Sequence, residues 1–402
     1  MAPARVLNVG HHYRVAGGSD RYMLVLEALL EERGHEVIPF AAAHPDNQPT
    51  PWARFFPTGV DPEGRRPSDF ARFFYSREAA QALASLLKEA RPDLAHLHIY
   101  YGHLTTSILA EFRKAGVPVV QTLHDYKLAC PVYSFLSNGT PCEACGGHQF
   151  WKALPRRCNR GSLARTVASV AEAYIARATG DLRHIDHFIT VCDFQRSKLL
   201  SYGLGTGKMS TVHNFVDAAA FTPGTAPGDY ALYFGRLEAL KGVHTLIEAA
   251  ARVPELPLLV VGDGKERAAL EARVAELGAD HIRFLGFQRG ARLHDLIRES
   301  RVCLQPSECY ELCPMSTLEA MAFARPLIGS DIGGIPELVA EGQTGLLVPP
   351  GDTDALSAAI RWMAAHPGEA QRMGRAGRAR AEREFGPDRH YARLREVYAG
   401  LL

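Results

Sequence analysis

Short apolar runs alternate with amphipathic stretches of helical length along most of this chain. Strand-like RVLNVG is followed by YMLVLEALLEERGH and then by strand-like EVIPF, a β-α-β opening. The order recurs as EAAQALASLLKEARP before DLAHLHI, TSILAEFRKAG before VPVVQTLH, and HFITVC before FQRSKLLSYG. Runs that are apolar on both faces, separated by helices, predict a parallel sheet covered on both sides.

The rhythm breaks at TVHNFVDAAAFTPGTAPGD, rich in Pro, Gly and Ala, which predicts an interdomain linker over residues 212–228. It restarts with YALYFG, a helix from Val243 to Ala251, PLLVVG, a helix from Lys265 to Leu277, IRFLG, a helix near Leu293, and VCLQPS. A second doubly wound domain follows. The tail from about Glu369 reads as Arg- and Ala-rich helices broken at Gly386-Pro387. Expected boundaries are 1–215 for an amino-terminal domain with a Cys-containing insert at about 128–162, 216–384 for a carboxy-terminal domain, and 385–402 for a helix crossing back to the first.

Length supports that division, because 402 residues exceed what one core usually organises. With 47% hydrophobic and 22% charged residues the composition is that of a folded globular protein. The net charge of +1 conceals an asymmetry. Residues 1–215 hold 24 Lys and Arg against 19 Asp and Glu, and residues 216–402 hold 21 against 25. A mildly basic first half suits an anionic acceptor or a membrane surface, or simply reflects ordinary solvated faces. No apolar run is long enough to span a bilayer, so any membrane contact is expected to be peripheral and the location cytoplasmic. Nothing in the charge pattern calls for nucleic acid.

The chemistry concentrates in PSECYELCPMSTLEAMAFARPLIGSDIGGIPELV, residues 306–339. Pro314 suits the first turn of a helix, with Cys313 just before it and Met315 and Ser316 continuing. Free N–H groups at such a start form an anion site. Glu311 falls in the preceding loop and Glu319 on the helix, where one carboxylate can hold a ribose diol and the other a sugar. A pair of solvent-facing Glu residues is the bland alternative. Arg236 and Lys241 lie five residues apart in GRLEALKG, after a strand. Gly17 and Gly18 in GGSD stand between a strand and a helix, where backbone can approach a phosphate or an acceptor. His124 ends the apolar run of VVQTLHDYK.

Glu, seven residues, Glu, preceded by PSE and followed by LEAMA, ARP and GGIPELV, resembles the signature of family-4 retaining glycosyltransferases. The resemblance implies a GT-B fold, with two Rossmann-like parallel-sheet domains facing across a cleft, and covers almost the whole chain. The usual Gly-Phe-Gly after the first Glu is replaced by Leu312-Cys313-Pro314, similar to a subgroup reading Tyr-Glu-x-x-Pro. It implies transfer of a hexosyl-type sugar from a nucleotide-diphosphate donor to a glycan, lipid carrier or natural product, by front-face displacement. In that scheme Arg236, Lys241 and the helix start hold the diphosphate, Glu319 the ribose, and Glu311 and His124 the sugar. No metal is expected for catalysis.

The insert adds Cys130, Cys142, Cys145 and Cys158 around a C-x-x-C. Four thiols suit a tetrahedral structural zinc, with disulfides or free thiols as alternatives. Cys309 and Cys313 flank Glu311 without a paired His and read as packing residues. Competing functions are a retaining glycosidase, which has no use for Arg236 and Lys241, a nucleotide-sugar epimerase, and a non-catalytic sugar-nucleotide-binding protein. A dinucleotide oxidoreductase fits worse, lacking G-x-G-x-x-G at either strand–helix junction.

Overall fold

A computed structural model describes residues 2–60, 67–205 and 207–402. The chain divides into two compact units: Met1–Asn138, Glu143–Val212 and Tyr391–Leu402 form one, and Gly139–Cys142 with His213–His390 the other.

The first unit is built on six parallel strands, β1 (Arg5–Val9), β2 (Glu36–Phe40), β3 (Leu94–Leu97), β4 (Val119–Leu123), β5 (His187–Thr190) and β6 (Met209–Thr211), ordered β2-β1-β3-β4-β5-β6. Val6, Leu7, Ile38, Leu97 and Val120 are fully buried. That is the consequence of covering both sheet faces with helices. Helix α1 (Gly18–Glu32) follows β1 and buries Tyr22, Met23, Leu26 and Leu30. The helix at Arg77–Ala90 starts where the Ser76 hydroxyl accepts from Ala79 N–H, and α2 (Leu163–Thr179) where Ser162 accepts from Arg165 N–H. Gly180, left-handed at φ 97°, ends α2. The last residues complete this core, because Tyr398 is fully buried and its hydroxyl lies 2.6 Å from His96 Nδ1.

The second unit repeats the plan with β7 (Ala231–Phe234), β8 (Leu258–Val261), β9 (Ile282–Gly286), β10 (Val302–Gln305), β11 (Leu327–Ser330) and β12 (Gly345–Val348), ordered β9-β8-β7-β10-β11-β12. Helices α3 (Val243–Ala250) and α4 (Met315–Ala322) follow β7 and β10. Leu246, Ile247, Leu258, Val260, Val302 and Ile360 join one core.

Each sheet reverses its strand order once, between β1 and β3 in the first unit and between β7 and β10 in the second. The loops leaving those neighbouring strands diverge, and the crevice they leave is where open α/β sheets hold ligands.

Candidate functional site

In the second unit the reversal brings Lys241 and Glu311 together. Lys241 ends a short turn after β7, and Glu311 lies in the loop after β10. Lys241 Nζ is 2.5 Å from Glu311 Oε1, which also accepts from the Ser307 hydroxyl at 2.7 Å. Burial alone would raise the Glu311 pKa, but the Lys241 charge and the two hydrogen bonds outweigh it and hold the carboxyl below its usual range. Burial likewise opposes the Lys241 charge, and the Glu311 carboxylate overrides it and holds the ammonium above its ordinary value. Both groups are ionised at neutral pH.

Glycine permits this proximity. Gly333 sits at φ 65°, and a Cβ there would lie 2.3 Å from the Glu311 carbonyl oxygen. Gly334 N–H donates to the same carbonyl at 2.7 Å, so the GGIPEL turn clamps the Glu311 loop. A Cβ on Gly242 would come within 1.8 Å of the Pro306 carbonyl, which explains how the loops after β7 and β10 pack so closely.

Arg236 is exposed and makes a 3.1 Å contact with Glu238. Its backbone carbonyl is fixed by the Tyr233 hydroxyl at 2.8 Å. Pro314 takes an extended conformation (ψ 123°) and forms the N-cap of α4. It thus sits one position earlier than the first-turn place read from sequence. The Cys313 carbonyl accepts from Asn214 Nδ2 at 2.8 Å, and the Ser316 hydroxyl donates to Gln305 Oε1 at 2.9 Å. Glu319 is buried on α4. Burial pushes the Cys309 and Cys313 thiols up to about 12, so neither is a thiolate nucleophile.

In the first unit His124 follows β4 and joins a relay that sequence reasoning missed. His124 Nε2 lies 3.0 Å from His98 Nδ1, and His98 Nε2 lies 2.9 Å from Asn8 Oδ1. The Asn8 amide donates to Glu27 Oε2 and the Met23 carbonyl, while Tyr13 donates to Glu27 Oε1 at 2.6 Å. Because Asn8 Oδ1 can only accept, His98 carries its proton on Nε2. His98 Nδ1 therefore accepts, His124 carries its proton on Nε2, and His124 Nδ1 is left as an acceptor. Burial pushes His124 down to about 3 and lowers His98 well below its ordinary value, so both rings are neutral. Only the position of His98, immediately after the strand Leu94–Leu97, hinted at this role. Gly17 is the exposed N-cap of α1, and a Cβ on Gly18 would meet open space.

The cysteine insert does not form the expected set. Among the described residues no three of Cys130, Cys142, Cys145 and Cys158 bring their sulfurs within 4.8 Å of one another. Tetrahedral zinc with bonds of about 2.3 Å needs sulfurs about 3.8 Å apart. None of the four is in a disulfide, and Cys145 and Cys158 pack with Phe150, Ala153 and Val170 as a small apolar cluster.

Residues 16–220 match the family model for Glycosyltransferase Family 4, and residues 225–380 that for Glycosyl transferases group 1. A glycogen synthase of Mycobacterium tuberculosis is 30% identical over 412 residues, covering 95% of this chain and 91% of the relative. The chain belongs to the group 1, family 4 glycosyltransferases. Among solved structures, this glycosyltransferase resembles a sucrose-phosphate synthase from Thermosynechococcus elongatus, with TM-score 0.75, 21% identity and 99% of each chain covered. It also resembles Anabaena HepE in complex with UDP-glucose, with TM-score 0.67, 17% identity, and 99% and 100% covered. Both likenesses carry the fold, which is GT-B. No described helix of the glycosyltransferase is long and apolar enough to cross a membrane.

Proposed function

We propose that this glycosyltransferase moves a hexosyl-type sugar from a nucleoside diphosphate donor to an acceptor hydroxyl, retaining the anomeric configuration by front-face displacement. The observation that carries the reading is the Lys241–Glu311–Ser307 cluster at the strand-order reversal of the second sheet. A half-buried cation paired with a carboxylate, in a loop cluster that leads into α4, is the equipment for a departing diphosphate. Fixed positive groups stabilise the charge that develops as the glycosidic oxygen leaves, without reorganising.

In this reading Lys241 and Arg236 hold the diphosphate, with amides of the Cys313–Ser316 segment adding hydrogen bonds. Arg236 is held only by an exposed contact and is free to swing onto the phosphates. Glu319 takes the ribose diol. Glu311 and His124 orient the sugar, His124 accepting a sugar hydroxyl proton at Nδ1. Gly17 and Gly18 let backbone approach the phosphates or the acceptor. The leaving phosphate oxygen takes the acceptor proton, so no protein base and no catalytic metal is required. That a homologous fold is found with UDP-glucose supports a nucleotide-sugar donor. Eight cysteines outside any disulfide fit a reducing cytosol, with any membrane contact peripheral.

Thermal-shift screening against UDP-, GDP- and ADP-sugars tests the donor class, since a true donor raises the melting temperature by mass action. Product analysis with the stabilising donor then separates transfer from epimerisation. Absence of stabilisation by every nucleoside diphosphate sugar would sink the reading.

A further inference from the structure

We propose that His11, His12 and Asp20 form a mononuclear site for a divalent transition-metal ion of the zinc class, at the strand-order reversal of the first sheet. It borders the Gly17-Gly18 loop and His124 but uses none of the residues assigned to the donor as a ligand. His11 and His12 follow β1 after Gly10, and Asp20 is in the first turn of α1. One ligand atom from each of the three lies within 4.8 Å of both others.

The spacing distinguishes this group from an ordinary ion pair. His11 Nε2 is 3.6 Å from Asp20 Oδ1. That is too long for a hydrogen bond, but close to the roughly 3.3 Å between two ligands bonded at about 2.0 Å to one tetrahedral ion. The carboxylate is buried, unlike the exposed acidic groups that cluster without an ion.

The surroundings are those of metal ligands. The His11 ring is hydrogen-bonded to the Tyr101 backbone, and the Asp20 carboxylate accepts from the Ala16 and Gly17 N–H groups. A ligating imidazole typically donates its second N–H to a carbonyl, and a ligating carboxylate is itself held by donors. The rings of His11 and His12 have centroids 4.1 Å apart, and His103 lies 5.6 and 5.4 Å from them. Two imidazoles therefore converge on one carboxylate, with a third ring, His103, beside them. Two nitrogens and one oxygen select zinc, cobalt, nickel or copper over magnesium or calcium, and three protein ligands leave a fourth position for water or a substrate oxygen. The capping bonds alone would explain Asp20, but not the convergence of His11 and His12 upon it.

The test titrates the full chain, stripped with chelator and kept reduced, with Co²⁺ as a spectroscopic stand-in and Zn²⁺ as competitor. Visible d–d absorption from one cobalt equivalent, displaced by Zn²⁺ and weakened about 10-fold or more in His12→Gln with unchanged circular dichroism, supports the site. His11→Gln provides the same comparison if Asp20→Asn disturbs α1. The comparison between wild type and variant also cancels any ion taken by the cysteines. No cobalt binding, or an identical titration in the folded His12→Gln and His11→Gln variants, overturns it.

Discussion

The two strand-order reversals are built on one plan and dressed with opposite chemistry. In the second unit the crevice holds an ionised pair, Lys241 and Glu311, drawn together by glycines. In the first unit the corresponding place holds neutral imidazoles, His124 and His98, whose proton positions are dictated by an amide and a carboxylate behind them. The difference separates two tasks on one architecture. Under the proposed function, charge is prepared where a diphosphate would be handled, and oriented neutral acceptors where hydroxyl groups would be.

The most severe way to break the contrast is Lys241→Met. It leaves Glu311 buried without its cation, which should cost about 3–5 kcal/mol of stability, and kcat should fall at least about 100-fold. Its pH dependence should also change sign. In the wild type the lowered Glu311 pKa contributes stability above the unfolded carboxyl value, lost as pH falls through the folded one. In Lys241→Met burial, the largest influence on Glu311, is opposed only by the Ser307 hydroxyl and the Arg236 charge, so acidification toward pH 5 should stabilise the variant. Denaturant titrations at pH 5 and pH 8 decide, and equal slopes for the two proteins would refute the pairing.

Arg236→Ala should raise the barrier by about 2–4 kcal/mol in kcat while leaving the melting temperature within error, because its contact with Glu238 is exposed. Near-normal turnover would remove Arg236 from the donor site. Gly333→Ala forces a side chain onto the Glu311 backbone at a left-handed position, with an expected loss of about 1–3 kcal/mol read by denaturant melts.

His98→Phe is subtler. It removes the partner that fixes the His124 proton, and kcat/KM should fall about 10-fold, roughly one lost hydrogen bond, with donor-diphosphate affinity unchanged. The smallest effect belongs to pH. His124 and His98 are neutral when folded and gain protons more readily when unfolded, so together they lower stability as pH falls from about 6.5. His98→Phe should flatten that decline in thermal melts between pH 7 and pH 5.

Much of the fold was legible because both sheets are parallel and buried on two faces. Such strands read as uninterrupted apolar runs, so IRFLG and VCLQ match β9 and β10 closely. Strands β11 (LIGS) and β12 (GLLV) went unread because each is short and carries Gly, and α2 because its Arg-rich start follows the cysteine insert. At the site, Lys241 and Glu311 were visible singly. Their mutual pairing was not, since it depends on two loops 70 residues apart being threaded past Gly242 and Gly333. The relay through Asn8 and Glu27 was equally hidden, because buried polar residues inside a strand and a helix carry no local mark. The cysteine spacing left zinc, disulfides and free thiols open, and it carried no sign that Cys145 and Cys158 pack against Phe150.

The placement of Tyr398 has a consequence for how the molecule is born. A ring that fills the interior of the amino-terminal unit, and the hydroxyl that satisfies His96, arrive only after the whole second unit has been made. While the ribosome is still translating residues 213–390, the first 212 residues must wait with a vacant slot in their core, and that unit can reach its final packing only once Tyr398 has emerged.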